Sequence, residues 1–314
     1  MKLLLSTTSY SPNEELAALD GVETVVARSA AEAVEMAGDI DAAVGFYQPE
    51  FVEAAPRLRW IQMLSTGINT APLELLRRRG ITLTNAHTYG PNMADHAMAF
   101  MLMLSRQIPQ IMRLQAGGTW KRPDGVPDPG ELTGQTLLIV GLGGIGRELA
   151  RRASAFGMRI LATRRRAEGP PPEGVDELHP QAALHELLPR ADWVNVSVPF
   201  TEQTRGLIGD DEFALMRRGA HILCLARGGI VDTGALLRAL DSGQVAGAGL
   251  DVTDPEPLPD GHPLWTYPNV VITPHTSGYA KTAHRRLRDV VVGNAEAFLR
   301  GDPLRNVVDL EQGY

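Results

Sequence analysis

Cysteine is nearly absent: a single one, Cys224, stands in 314 residues, so no disulfide can close within the chain and a disulfide-stapled scaffold is excluded. Long apolar runs are missing as well, and the opening MKLLLSTTSY is too short an apolar stretch for a signal peptide or a membrane span. Positive charge is not in excess. Thirty Lys and Arg against 37 Asp and Glu leave a formal charge of −7, which offers no chain-wide basic field to nucleic acid or anionic lipid. Nor does the composition tend toward disorder or collagen-like repeats, because 44% hydrophobic and 21% charged residues are ordinary values for a globular chain. These absences point to a cytoplasmic protein with neither a nucleic-acid nor a membrane partner. A length of 314 residues exceeds what one core usually supports, so two domains are expected.

What is present is alternation. Up to about residue 85, short β-rich runs at 2–5, 24–27, 41–46, 59–64 and 81–84 alternate with helical stretches at 13–19, 31–37 and 72–79. Strand and helix in series imply a parallel sheet. A long apolar helix is expected from Pro91, a good first-turn residue, through residue 104, and its methionine-rich stripe reads as core packing. Residues 116–130, rich in Gly, Pro and charge, read as a connector. Beyond it, strands are expected at 135–140, 159–163, 193–198, 221–225, 245–251 and 270–273. Six parallel strands with crossovers suit a complete doubly wound dinucleotide-binding domain. Residues 285–299 turn helical again, and 306–308 are expected to form a last short strand. This tail is too short for a domain of its own and is expected to pack back on the first one.

The strongest local motif is Gly141-Leu142-Gly143-Gly144-Ile145-Gly146, which follows the apolar run 137–140 and opens a helix-like stretch, 147–155. In that context Gly141 allows a tight turn, Gly143 the close approach of backbone to a pyrophosphate, and Gly146 close packing of helix on strand. Dinucleotide sites that prefer NAD place Asp or Glu at the end of the next strand, about 20 residues on. Here that strand ends Thr163-Arg164-Arg165-Arg166, with no acid. Guanidinium groups hold a 2′-phosphate through charge-assisted hydrogen bonds, whereas a carboxylate repels it. NADP(H) is therefore the expected cofactor, with NAD(H) as the alternative; a merely solvated basic loop would carry the same residues. No metal site is expected.

Four further segments lie at or just beyond the carboxyl ends of expected strands, where an open parallel sheet puts its ligands. They are Val198-Pro199-Phe200-Thr201 with Thr204, then Leu225-Ala226-Arg227-Gly228-Gly229-Ile230-Val231-Asp232, then Gly249-Leu250-Asp251-Val252-Thr253-Asp254-Pro255-Glu256-Pro257, and Thr273-Pro274-His275-Thr276-Ser277-Gly278. With these motifs in this order, the sequence resembles the D-isomer-specific 2-hydroxyacid dehydrogenases over nearly its whole length. The resemblance implies two doubly wound parallel-sheet α/β domains, a Rossmann cofactor domain (98–285) inserted into a flavodoxin-like substrate domain (1–97, completed by 286–314). It implies a homodimer joined through the cofactor domains, with the helix from Pro91 a plausible part of the interface. Arg227, Glu256 and His275 correspond to the family's triad, and Asp251 to the residue that meets the nicotinamide carboxamide. The cofactor contacts so expected are Gly141, Gly143, Gly144, Ile145, Gly146, Thr163, Arg164, Arg165, Val198, Pro199, Thr204, Leu225, Ala226, Asp251, Ser277 and Gly278.

The chemistry explains the residue types. Reduction of a small 2-keto acid leaves negative charge on the carbonyl oxygen, so an acid must deliver a proton, which histidine does near neutral pH. Glu256 would orient the imidazole and stabilise its protonated form. Arg227 would pair with the substrate carboxylate and polarise the ketone, work that suits a planar fork. Leu64-Ser65-Thr66-Gly67-Ile68-Asn69 is similar to the family's substrate loop, in which backbone N–H groups receive the carboxylate. Ser65, Thr66 and Gly67 are its candidates, with Tyr47 lining the same cleft and Arg227 and His275 also touching substrate; a plain glycine turn would look the same. Departures from the family are Cys224 where Asn is frequent, read as a buried strand residue, and Asp95 where Glu is common. His96 is read as a helix-packing or interface histidine. The expected activity is hydride transfer between NADP(H) and C2 of a 2-keto or 2-hydroxy acid, of the glyoxylate or hydroxypyruvate reductase type. The alternative is an NADP(H)-sensing or corepressor-like binding protein on the same fold.

Overall fold

The computed structural model describes residues 1–7, 12–68, 70–122, 124 and 128–311. The chain divides into two units, Met1–Tyr89 with Ala280–Tyr314, and Gly90–Tyr279.

Among the described residues the first unit has five strands, β1 (Lys2–Ser6), β2 (Glu23–Ala27), β3 (Ala42–Val44), β4 (Trp60–Gln62) and β5 (Thr82–Thr84). All neighbours pair in parallel, in the order β2-β1-β3-β4-β5, which is the flavodoxin-like order. Runs such as Leu3-Leu4-Leu5 and Ala42-Ala43-Val44 are wholly buried because both faces of the sheet are covered. Leu4, Ala43, Ile61 and Leu83 pack with Phe51, Val52 and Leu76 on one face. On the other, Leu3, Leu5, Val44 and Trp60 pack with Leu287, Val291 and Ala295 of the helix Lys281–Arg300, which is why the tail returns to this unit.

Local signals set several boundaries. Ser29 accepts the Glu32 N–H at the start of Ala30–Glu35, and Gly80 at φ 66° ends Leu73–Arg79. Gly45 at φ 85° stops β3 short of the expected 46. The helix Pro49–Ala54 was not expected; six residues are too few to show a helical period. The expected strand at 306–308 is only an isolated antiparallel bridge, Thr84 to Val307, with Val308 N–H on Leu83 O at 2.9 Å.

The second unit has seven strands among the described residues: β6 (Thr136–Val140), β7 (Arg159–Arg164), β8 (Glu177–Pro180), β9 (Trp193–Val196), β10 (Ala220–Cys224), β11 (Val245–Leu250) and β12 (Val270–Ile272). All are parallel, in the order β12-β11-β10-β9-β6-β7-β8, so the strand order reverses between β6 and β9. Six were expected. The seventh, β8, is a part-exposed edge strand whose ELHP carries no apolar run, and Glu177 within it binds Arg159 and Arg190.

The helix Gly90–Ser105 packs Ala94, Ala97 and Met101 with Leu149, Ala150 and Ala153 of the helix Gly144–Ala155. Met98 and Met101 are core residues, as expected. The apolar face of this helix is thus used within the second unit, and the expected divisions at 97/98 and 285/286 fall inside helices that each belong whole to one unit. Of the expected connector, residues 123 and 125–127 lie outside the described residues. Among the described residues no helix is long and apolar enough to cross a membrane.

Candidate active site

The glycine turn is shaped by what a side chain would strike. Gly141, at φ 98°, would place a Cβ 2.9 Å from Ser197 C and Val198 N at the end of β9. A Cβ on Gly146 would lie 2.7 Å from Gly141 O and 2.9 Å from Ile139 Cγ2, so helix and strand close only over glycine. A Cβ on Gly143 or Gly144 would meet nothing within 4 Å. The first internal bond of the helix runs from Arg147 N to Gly143 O at 3.0 Å, leaving the amides of Gly144, Ile145 and Gly146 ahead of it. An open glycine shelf at a helix start is what a pyrophosphate requires.

Thr163 and Thr204, both expected at the cofactor, have hydroxyls bonded within the protein. Thr163 is fully buried; its Oγ1 donates to Gln181 Oε1 at 3.0 Å and accepts Gly141 N–H at 3.3 Å, pinning the turn to β7 from behind. Thr204 Oγ1 donates to Pro199 O at 2.6 Å and accepts Thr201 N–H at 2.8 Å, closing its own turn. Arg164 ends β7 with Nη2 on Glu168 O at 2.5 Å, while its Nε is buried with no partner among the described residues. Arg165 and Arg166 follow, exposed.

Arg227, Glu256 and His275 come from the carboxyl ends of β10, β11 and β12, three neighbouring strands of one sheet. Gly228, after the arginine, permits a close crossing: a Cβ there would stand 1.9 Å from Thr253 O, on the segment leading to Glu256. Arg227 Nη1 donates to Ala226 O at 2.7 Å. His275 Nδ1 and Glu256 Oε1 are 2.6 Å apart, and both side chains are about two-fifths exposed, at 43% and 42%. With Nδ1 on the carboxylate, Nε2 is the nitrogen left to meet a substrate. Leu225 and Ala226 are buried, and the Ser277 hydroxyl is buried without a partner among the described residues.

Asp251, expected at the nicotinamide carboxamide, makes several bonds inside the protein. Its carboxylate is fully buried and bonds the segment that carries the histidine: Oδ1 accepts Thr273 Oγ1–H at 2.6 Å and Thr276 N–H at 2.9 Å, and Oδ2 accepts Ser277 N–H at 3.0 Å. Cys224 is buried as expected, and burial pushes its thiol up to about 11, which removes it as a nucleophile.

In the first unit, Ser65, Thr66 and Gly67 follow β4, and the amides of Thr66 and Gly67 make no hydrogen bond among the described residues. The Tyr47 hydroxyl accepts from Thr70 Oγ1 at 3.2 Å, which sets it beside this loop; Asn69 lies outside the described residues. Sequence reasoning missed the clamp on the loop. Tyr89 Oη donates to Leu64 O, Asn85 Nδ2 to Thr66 O and Thr66 Oγ1 to Ala86 O, at 2.8, 2.8 and 2.6 Å. Their only sequence signal is that 85–89 follows the next strand of the same parallel sheet.

The D-isomer specific 2-hydroxyacid dehydrogenase NAD binding domain matches residues 98–277. The chain therefore belongs to the D-isomer-specific 2-hydroxyacid dehydrogenase family. It is an oxidoreductase that transfers a hydride between a nicotinamide dinucleotide and a 2-hydroxy or 2-keto acid. A glyoxylate reductase of Pyrococcus furiosus is 37% identical over 289 residues, covering 88% of this chain and 85% of that enzyme. Among solved structures, the TT0316 protein of Thermus thermophilus is 36% identical with a TM-score of 0.80, over 98% of this chain and 100% of the other. An NADPH-dependent glyoxylate/hydroxypyruvate reductase of Sinorhizobium meliloti, solved with NADP and sulfate, is 28% identical with a TM-score of 0.81, over 100% of both chains.

Proposed function

We propose that this chain is a 2-keto acid reductase of the glyoxylate or hydroxypyruvate type that prefers NADPH. The observation that carries the catalytic part is the 2.6 Å pairing of His275 Nδ1 with Glu256 Oε1 on strands next to Arg227. A carboxylate accepts, so Nδ1 keeps its hydrogen and the mobile proton is on Nε2. The bound reduced nicotinamide supplies the hydride. As charge grows on the substrate's carbonyl oxygen, His275 Nε2 gives up its proton, while Glu256 holds the ring in place through Nδ1. Arg227 binds the substrate carboxylate and polarises the ketone. An intact donor pair favours an enzyme over a binding protein that only senses the cofactor.

The glycine shelf at Gly143 and Gly144 would hold the pyrophosphate, and Arg164, with Arg165 beside it, the 2′-phosphate. Support for NADPH comes from the acid-free end of β7 and from the NADPH-dependent relative. Turnover of glyoxylate, hydroxypyruvate, pyruvate and phenylpyruvate with NADPH and with NADH tests the proposal. Reduction of glyoxylate and hydroxypyruvate is expected to lead; no turnover of any keto acid would favour the sensor.

We assign substrate carboxylate binding also to the amides of Thr66 and Gly67. Tyr89→Phe removes one clamp on that loop, and a net hydrogen bond of ~0.5–1.5 kcal/mol corresponds to about a 2- to 12-fold rise in KM for the keto acid. Cofactor affinity should stay unchanged. An unmoved KM would take the loop out of substrate binding.

The helix Ile108–Ala116 has no buried residue, and Ile111, Met112 and Trp120 are exposed. We place a homodimer contact there, in place of the helix from Pro91. Light scattering should give twice the chain mass of 34.0 kDa, and a monomer would remove the assignment.

A further inference from the structure

His275 sits at φ 53°, a left-handed conformation that a residue with a Cβ keeps only when its surroundings hold it there. Those surroundings can be traced. Its own N–H donates to Asp251 O at 2.9 Å, and the Asp251 carboxylate takes Thr276 N–H, Ser277 N–H and the Thr273 hydroxyl, so one buried aspartate gathers the whole turn 273–277. Behind it stands one face of the helix Gly90–Ser105. Asn92 and His96, four residues apart and so on the same side, reach the two ends of that turn. Asn92 Nδ2 donates to Ser277 O at 2.8 Å, and His96 Nε2 meets Thr273 Oγ1 at 2.9 Å.

The direction of these bonds follows from donor counting. Thr273 has one hydroxyl hydrogen, and Asp251 Oδ1, which already accepts the Thr276 amide, takes it. Thr273 Oγ1 must therefore accept from His96, which must carry hydrogen on Nε2. Burial lowers the His96 pKa, so near neutral pH the ring is neutral, and this tautomer is then the one that completes the chain. The ring is steered by an edge-on contact with Phe100, centroids 4.6 Å apart. Phe100 is itself fixed against Gly249, where a Cβ would lie 2.7 Å from the phenyl ring.

We propose that His96 is a positioning residue for proton transfer: through Thr273 and Asp251, and together with Asn92, it holds the turn that aims His275. The proposal rests on His275 being the proton donor. The sequence offers no sign of it, since His96 and Thr273 are 177 residues apart.

Long-range proton–nitrogen NMR of the labelled, unsubstituted protein should show His96 protonated at Nε2 and bare at Nδ1; the opposite tautomer overturns the chain of bonds, whatever the enzyme reduces. The functional part is read from two pairs of variants. His96→Leu and Thr273→Val remove the relay, while His96→Gln and Thr273→Ser keep an N–H donor and a hydroxyl. The first pair should lose about 10- to 100-fold in kcat, the scale on which misplacement of reacting groups acts, with the Kd for NADPH held within about twofold. The second pair should recover kcat to within about threefold. If His96→Leu keeps kcat, if the conservative variants fall as far as the others, or if kcat and cofactor affinity decline together, His96 is a packing residue only. Should the first pair fail to fold, the tautomer and full activity in His96→Gln and Thr273→Ser remain the required results, and loss of either overturns the proposal. An unsubstituted protein inert toward every keto acid would instead overturn the function above, leaving the NMR result to judge the bonds.

Discussion

His275→Asn should reduce keto-acid turnover by ~10² to 10⁴, the range that general acid catalysis supplies, and leave NADPH affinity nearly intact. Asn is the informative replacement because it tolerates the positive φ of this position, so the loss reports the proton donor and not the backbone. His275→Gln should fall as far. Glu256→Gln tests the other half of the pair. Without the carboxylate 2.6 Å from Nδ1, the ring loses the acceptor that fixes its orientation, and kcat should fall by about 10- to 100-fold while NADPH affinity holds. Near-normal kcat in either His275→Asn or Glu256→Gln would separate this pair from the proton transfer.

Arg164→Asp should erase or invert the proposed preference for NADPH in kcat/KM. A charged hydrogen bond is worth ~1.5–3 kcal/mol, so a single phosphate contact accounts for roughly 10- to 150-fold. The substitution removes that cation and sets an anion where the phosphate would lie. Added salt should weaken NADPH binding more than NADH binding, because the extra contact is ionic and part-exposed. Arg164 already donates to Glu168 O through Nη2, so the remaining Nη hydrogens are what it has left for a ligand. Equal efficiency with both cofactors in the unsubstituted enzyme, or a preference for NADH, would make these arginines an ordinary surface loop.

The parts of the site that were legible in the sequence are those whose constraint is local. Gly141 and Gly146 announce themselves because a tight turn and a close helix–strand approach exclude a Cβ, and the structure has both exclusions where the motif puts them. Arg227, Glu256 and His275 were recognisable through the family resemblance. Their geometry was not, and neither was the reason Gly228 follows the arginine, which is the passage of Thr253 O across it.

The bonds that polar side chains make inside the protein were not legible. Thr163 and Thr204 lie at the expected strand ends, yet their hydroxyls bond their own turns. Asp251 supports the histidine's turn, and the supports at Asn85, Tyr89, Asn92 and His96 carried no motif.

By itself the sequence determined two parallel α/β units, the glycine turn, the acid-free end of β7 and the residue types of the triad. Each is written in backbone conformation, in periodic burial or in a run of adjacent residues. Only the tertiary structure decided the seventh strand, the helix at 49–54, which helix closes which unit, and where each buried hydrogen bond ends. A side chain's donor or acceptor finds its partner through strand order and helix placement, and residues far apart in the chain become neighbours only once those are set.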